Sequence, residues 1–269
     1  MSIFRTVEVS DPLMEEAGLR FFTVQSPAVG RRVDFSLFLP TGWAGMTSLP
    51  LVTLLHGVYG SHWVWPFKGG AHRTAAEMIG AGEIEPMAIV MPSDGLWGEG
   101  SGYVEQVDAD YERWIVQEVP LAVQEHCAAV TKDSVQFIAG LSMGGYGALR
   151  LGARYAPQYA GVSAHSSLTD FAQLSHFVEE PLESYAVVEE GGLSVLDAMK
   201  EQPDVLPPIR FDCGVDDLLI EPNRALHRSL NELGIAHEFA EFAGGHEWHY
   251  WQVHLRDSLR FFSDVLRSI

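Results

Sequence analysis

Residues 135–149, Val135-Gln136-Phe137-Ile138-Ala139-Gly140-Leu141-Ser142-Met143-Gly144-Gly145-Tyr146-Gly147-Ala148-Leu149, read as a strand, a sharp turn and a helix in immediate succession. Residues 135–139 form a short apolar run, as expected of a parallel strand covered on both faces. From Gly145 to Tyr155 the apolar residues recur with helical period. Between the two, Gly140-Leu141-Ser142-Met143-Gly144 fits Gly-x-Ser-x-Gly, a motif that requires this strand-turn-helix setting. Glycines at 140 and 144 keep side chains away from the neighbouring strand and helix. The helix N-terminus behind Ser142 offers free N–H groups and a positive dipole end to developing negative charge. With 26 glycines in the chain, the setting rather than the pentapeptide alone marks Ser142 as a nucleophile.

Outward from this turn, apolar runs recur at 51–55, 87–91, 161–164, 209–213 and 236–242, each ending in a loop of Gly, Ser, Asp or His. Helical patterns lie between them at 71–79, 111–127, 223–233 and 248–266. Repeated strand-helix units predict an α/β fold with a mostly parallel central sheet and helices on both faces. Chemistry is then expected at the carboxyl ends of the strands. Residues 20–25 and 33–39 alternate apolar and polar and predict an antiparallel N-terminal pair at one edge of the sheet. The stretch at about 170–208 carries Glu179, Glu180, Glu183, Glu189 and Glu190 without a clean strand. It predicts an insertion lying over the crevice of a single domain spanning 1–269.

A serine hydroxyl needs a base within hydrogen-bond reach and an acid to orient that base. Behind a turn of this kind the chain order is Ser, then Asp or Glu, then His. Seven histidines follow Ser142, and His246 stands in the loop after the last apolar run, behind Gly244-Gly245 and ahead of the final helix. His249, on that helix, is the alternative. Asp216-Asp217 follows the 209–213 run; Asp217 is favoured as the acid, with Asp216 capping the next helix. The oxyanion hole is assigned to the backbone N–H groups of Met143 and of Val58, in Leu55-His56-Gly57-Val58-Tyr59-Gly60. A substrate pocket is drawn from His56, Tyr59, Trp63, Trp97 and Trp248. His56 also reads as a brace for its loop, and core packing is the other role open to each Trp.

Composition narrows the function classes. Lys and Arg total 17 against 36 Asp and Glu, a formal charge of −19 that repels a phosphate backbone and argues against nucleic acid. Two cysteines, Cys127 and Cys213, give no disulfide framework. The N-terminus lacks a basic start followed by an apolar run, and no segment is long and apolar enough to span a bilayer, so a cytoplasmic location without membrane contact is expected. His249 comes three residues after His246 rather than the four a zinc-protease helix requires. Gly98-Glu99-Gly100-Ser101-Gly102 lacks the spacing of a dinucleotide site. No metal and no cofactor are expected; a small-molecule ester is the expected partner, and a homo-oligomer stays open.

With these pieces placed, the chain resembles the esterase family that includes esterase D, S-formylglutathione hydrolase, tributyrin esterase, enterochelin esterase and the mycolyltransferases. The similarity covers most of the chain. It rests on Ser26-Pro27-Ala28-Val29-Gly30-Arg31-Arg32, Leu39-Pro40, His56-Gly57, Gly140 to Gly145, Cys213-Gly214 with Asp217, and Gly245-His246-Glu247-Trp248 with Trp251. The resemblance implies an α/β-hydrolase fold and, through its tributyrin-esterase branch, a serine carboxylesterase preferring short acyl chains, with Ser142, Asp217 and His246 as triad. S-formylglutathione hydrolases usually carry a His before the nucleophile; Leu141 stands here, which weakens the thioesterase alternative. Trp and Gly enrichment in 63–70 and 93–100 raises acylated carbohydrates as substrates. An acyltransferase using the same residues and an inactive binding module are the remaining alternatives.

Overall fold

The computed structural model describes residues 2–188 and 193–269. Among the described residues nine strands form one sheet: β1 (Val7–Val9), β2 (Leu19–Gln25), β3 (Arg32–Phe38), β4 (Leu51–Leu55), β5 (Ala88–Pro92), β6 (Gln136–Leu141), β7 (Gly161–His165), β8 (Ile209–Gly214) and β9 (Glu238–Phe242). Their spatial order is β1-β2-β3-β5-β4-β6-β7-β8-β9. β1, β2, β3 and β5 pair antiparallel, and every pairing from β5 through β4 to β9 is parallel. The predicted N-terminal pair is therefore present, but the edge itself is β1, a strand of three residues too short to show alternation.

The central parallel strands are buried along their whole length, which is why they read as unbroken apolar runs. Alternate residues feed opposite layers. On β4, Leu51 and Leu55 join the layer of α2 (Val119–His126), α3 (Met143–Arg154), α4 (Val195–Glu201) and α5 (Ile220–Glu232). Val52 and Leu54 join the opposite layer, under α1 (Ala71–Gly80) and α6 (Trp248–Ser268). β9 departs from expectation: it starts at Glu238, and as an edge strand it has no fully buried residue, with Glu238 and Glu241 exposed. The helix expected over 111–127 is broken into a turn at Tyr111–Arg113, a π-helical stretch at Trp114–Glu118, and α2. Pro120 explains the break, because it has no N–H for a regular helical bond and the wider turn ahead of it absorbs the misfit.

After β4 the chain goes outward to β5 and then crosses back to β6 on the other side of β4. That reversal opens a crevice at the carboxyl ends of β4 and β6, where loops 56–60 and the Ser142 turn face each other. The stretch between β7 and β8 divides into two parts. Turns at Phe171–His176 and Leu182–Tyr185 reach toward the crevice, whereas α4 returns to pack on α3. Glu189 and Glu190 of that stretch lie outside the described residues. Among the described residues no helix is long and apolar enough to cross a membrane.

Candidate active site

Ser142 follows β6 directly and caps α3 with φ 54° and ψ −121°. A non-glycine residue in this region stores about 1–3 kcal/mol of strain. The surroundings enforce it: Ser142 N–H donates to the His165 carbonyl (2.9 Å), and the Ser142 carbonyl accepts the Tyr146 N–H (3.0 Å). The two motif glycines are dictated by contact. A Cβ on Gly140 would sit 2.2 Å from the Gly144 carbonyl oxygen, and one on Gly144 would sit 2.5 Å from the carbonyl oxygens of both Leu55 and His56.

His246, between β9 and α6, places Nε2 3.0 Å from Ser142 Oγ. Its Nδ1 lies 2.9 Å and 3.1 Å from the two carboxylate oxygens of Asp217, in the loop after β8. These two loops touch backbone to backbone, since a Cβ on Gly214 would fall 2.2 Å from the Gly244 carbonyl oxygen. The Asp216 N–H ties them by donating to that carbonyl at 3.0 Å. Asp216 itself is exposed, as is His249 on α6, so neither alternative residue joins the cluster. Burial pushes the Asp217 carboxyl upward, but the hydrogen bond and charge of His246 and the N–H of Leu219 (2.8 Å) outweigh it and hold the group below the usual carboxylate range.

The loop after β4 approaches Ser142 through a residue without a side chain. A Cβ on Gly57 would be 3.3 Å from Ser142 Cβ and 2.8 Å from Leu141 Cδ1. Among the described residues, neither the Val58 N–H nor the Met143 N–H donates to another protein group. Met143 follows Ser142 in the chain and Val58 follows Gly57, the residue packed against Ser142.

The expected pocket residues separate. His56 does not line the crevice: its side chain is 2% exposed, with Nδ1 2.7 Å from the Gly57 carbonyl and Nε2 3.2 Å from Asp94. It braces the loop from beneath. Burial works to lower its pKa, and the Asp94 charge overrides burial and raises it. Asp94, which sequence reasoning missed, also accepts the Ser101 N–H at 2.8 Å; its signal was its place at the end of a strand. Trp248 is half-buried and meets Trp65 and Trp251 edge-on at 5.6 Å and 5.3 Å, a packing role. Tyr59 and Trp63 are exposed, Tyr59 with its phenol donating to the Phe177 carbonyl. Trp97 lies under the Arg31 guanidinium (5.0 Å) and borders a cavity of about 320 Å³ with Asp94, Tyr111, Glu180 and Tyr185. That cavity adjoins Gly100, where a Cβ would be 2.6 Å from Met143 Sδ.

Phe177 was also missed. Its ring lies 5.2 Å from the His246 ring, and Trp251 meets the same imidazole edge-on at 5.0 Å. Beneath the site runs a second Ser, His and Asp chain: His165 bonds Asp212 (2.9 Å) and Ser258 (2.7 Å), and Asp212 accepts the Tyr250 hydroxyl (2.8 Å). Its Ser, His and Asp are 0% exposed, so it ties α6 to the sheet rather than meeting a substrate.

The family model described as "Putative esterase" matches residues 26–262. The chain is 28% identical over 238 residues to an acetyl esterase of Caldicellulosiruptor saccharolyticus, covering 81% of this chain and 85% of that protein. It is 24% identical over 269 residues to an esterase of Mycobacterium tuberculosis, covering 85% of this chain and only 55% of that longer relative. A solved structure of a ferulic acid esterase matches with a TM-score of 0.79 at 24% identity, over 97% of this chain and 99% of that one, a likeness of fold.

Proposed function

The chain belongs to this esterase family, has the α/β-hydrolase fold and is a carboxylic ester hydrolase, and on that premise we propose that it is a serine esterase of short-chain acyl esters working through Ser142, His246 and Asp217. The observation that carries the proposal is the unbroken relay from Ser142 Oγ to His246 Nε2 (3.0 Å) and from His246 Nδ1 to Asp217 (2.9 Å).

Ser142 Oγ attacks the ester carbonyl carbon while His246 Nε2 takes its proton. Asp217, kept ionised, stabilises the imidazolium and fixes Nδ1–H toward itself. The carbonyl oxygen, now an oxyanion, receives the N–H groups of Val58 and Met143. On collapse the alcohol leaves with the proton from His246. Water then loses a proton to His246, attacks the acyl-enzyme, and releases the acid and Ser142.

Small acyl groups are supported by the confinement of Ser142, which is 2% exposed, and by the acetyl esterase among the relatives. An acylated sugar as substrate is supported by the cavity beside Gly100, whose lining mixes Trp97 and Tyr185 rings with carboxylates. Cytoplasmic residence belongs to the same proposal and is supported by two free, buried thiols, Cys127 and Cys213. Purified protein is tested on p-nitrophenyl esters of two to twelve acyl carbons and on acetylated sugars against alkyl acetates. The proposal expects acetate and butyrate to lead, sugar acetates to be preferred, and Ser142→Ala to abolish turnover. Substantial residual turnover in that variant, or a preference for the longest chains, overturns it.

A further inference from the structure

The segment reaching over the crevice is fastened to the oxyanion side at several points. The Tyr59 phenol, one residue after Val58, donates to the Phe177 carbonyl. The Glu99 carboxylate accepts the N–H groups of Glu179 and Glu180, the latter at 3.0 Å. In return the Glu180 carboxylate accepts the Glu99 N–H and the Tyr185 hydroxyl, each at 3.2 Å. Tyr59 N–H donates to the Glu99 carbonyl at 2.8 Å, so the loops after β4 and β5 and residues 177–185 form one clasp. Partial desolvation of this largely exposed side chain and then the charges of Glu99, Glu179 and Glu180 push the Tyr59 phenol upward.

The clasp puts the Phe177 ring against His246, 5.2 Å between centroids and inclined at 34°. The proton-transfer relay needs no aromatic group there. In ester cleavage the leaving alcohol oxygen must come to His246 Nε2 to receive its proton. A ring laid on that imidazole therefore borders the alcohol side of the substrate.

We infer that Phe177 is a specificity-determining residue: its ring bounds the space for the ester's alcohol group, and the Tyr59–Glu99–Glu180 clasp holds it in place. This rests on the reading of Ser142 and His246 as the reacting pair. The test uses Phe177→Ala, Phe177→Leu and Tyr59→Phe, the last releasing the carbonyl while leaving the ring intact. Two substrate series are compared by kcat/KM: acetates of ethanol and 2-naphthol, and p-nitrophenyl acetate against p-nitrophenyl butyrate. The ratio of 2-naphthyl to ethyl acetate is expected to rise about tenfold in Phe177→Ala, the worth of one or two methylenes in an apolar pocket, and less in the other two variants. The acyl ratio should stay within about twofold of the parent, since the acyl group lies away from His246. An unchanged alcohol ratio, or equal losses on all four esters, overturns the inference and leaves Phe177 as a support for His246. If Phe177→Ala does not fold by circular dichroism, Phe177→Leu decides alone. Fluorophosphonate labelling of Ser142 in each variant separates the two claims. Labelled variants with unchanged ratios refute only the alcohol-side role, whereas a parent that does not label refutes the serine reading beneath it.

Discussion

Replacing Asp217 by Asn exchanges one oxygen for an amide nitrogen and should reverse the direction of the proton on His246. Asp217 Oδ1 accepts the Leu219 N–H at 2.8 Å, and Oδ2 stands 2.9 Å from His246 Nδ1. An Asn side chain must keep its single oxygen on the Leu219 N–H, because an amide NH₂ there would set two donors against each other. Its NH₂ group then faces His246 Nδ1 and donates to it. The imidazole proton moves to Nε2, which lies 3.0 Å from Ser142 Oγ and needs to accept a proton from it. The serine faces a donor instead of a base. Loss of the base through the wrong tautomer lowers kcat by about 10⁴, or about 5.5 kcal/mol of transition-state stabilisation. KM should change little, because Asp217 is covered by His246 and touches no substrate. Initial rates on p-nitrophenyl acetate, with circular dichroism melts to show the fold intact, measure this. Asp216→Asn, on the exposed neighbour, should keep parental rates. A loss below about tenfold in Asp217→Asn, against the expected 10⁴, would refute the reasoning.

Gly144→Ala forces a Cβ to 2.5 Å from two carbonyl oxygens of the β4 end and should destabilise the protein by about 1–3 kcal/mol, with calorimetry showing a lower Tm and initial rates a lower kcat as the Met143 amide shifts. Glu112→Gln withdraws the charge that meets Arg150 at 2.7 Å in a nearly dry site and should cost about 3 kcal/mol in urea unfolding. Asp94, Asp212 and Asp217 are all held below the ordinary carboxylate value of 3.8, burial opposing the shift and His56, His165 and His246 respectively overriding it. Their contribution to stability is therefore present above about pH 4 and lost as pH falls below it, so melts should show a steep drop in that acid range.

Much of this arrangement was legible because the chemistry is carried by backbone geometry with strong local signatures. The Ser142 turn, the loop of Asp217 and the Gly244-Gly245 approach to His246 each follow an apolar run, and such runs mark buried parallel strands. β4 coincides with its predicted span, β8 runs one residue further through the buried Gly214, and β9 starts two residues later, on an edge where burial no longer decides the pattern. Phe177 was not legible, since its segment has no periodicity and its place depends on hydrogen bonds to Tyr59 and Glu99, some 80 to 120 residues earlier in the chain. Trp97 and Trp248 illustrate the same limit: both follow Gly-containing stretches, and only packing separates the one bordering a cavity from the one set against Trp65 and Trp251. The His165–Asp212–Ser258 chain has triad chemistry without triad access, a distinction made by burial rather than by residue type.

The nucleophile is tested most directly by peptide mass mapping after treatment with a fluorophosphonate, which bonds covalently to an activated serine. A single adduct on Ser142, absent from Ser142→Ala and strongly reduced in His246→Ala, is the predicted result. An adduct on another residue, Ser258 of the buried chain included, or no adduct on the folded protein, would contradict it.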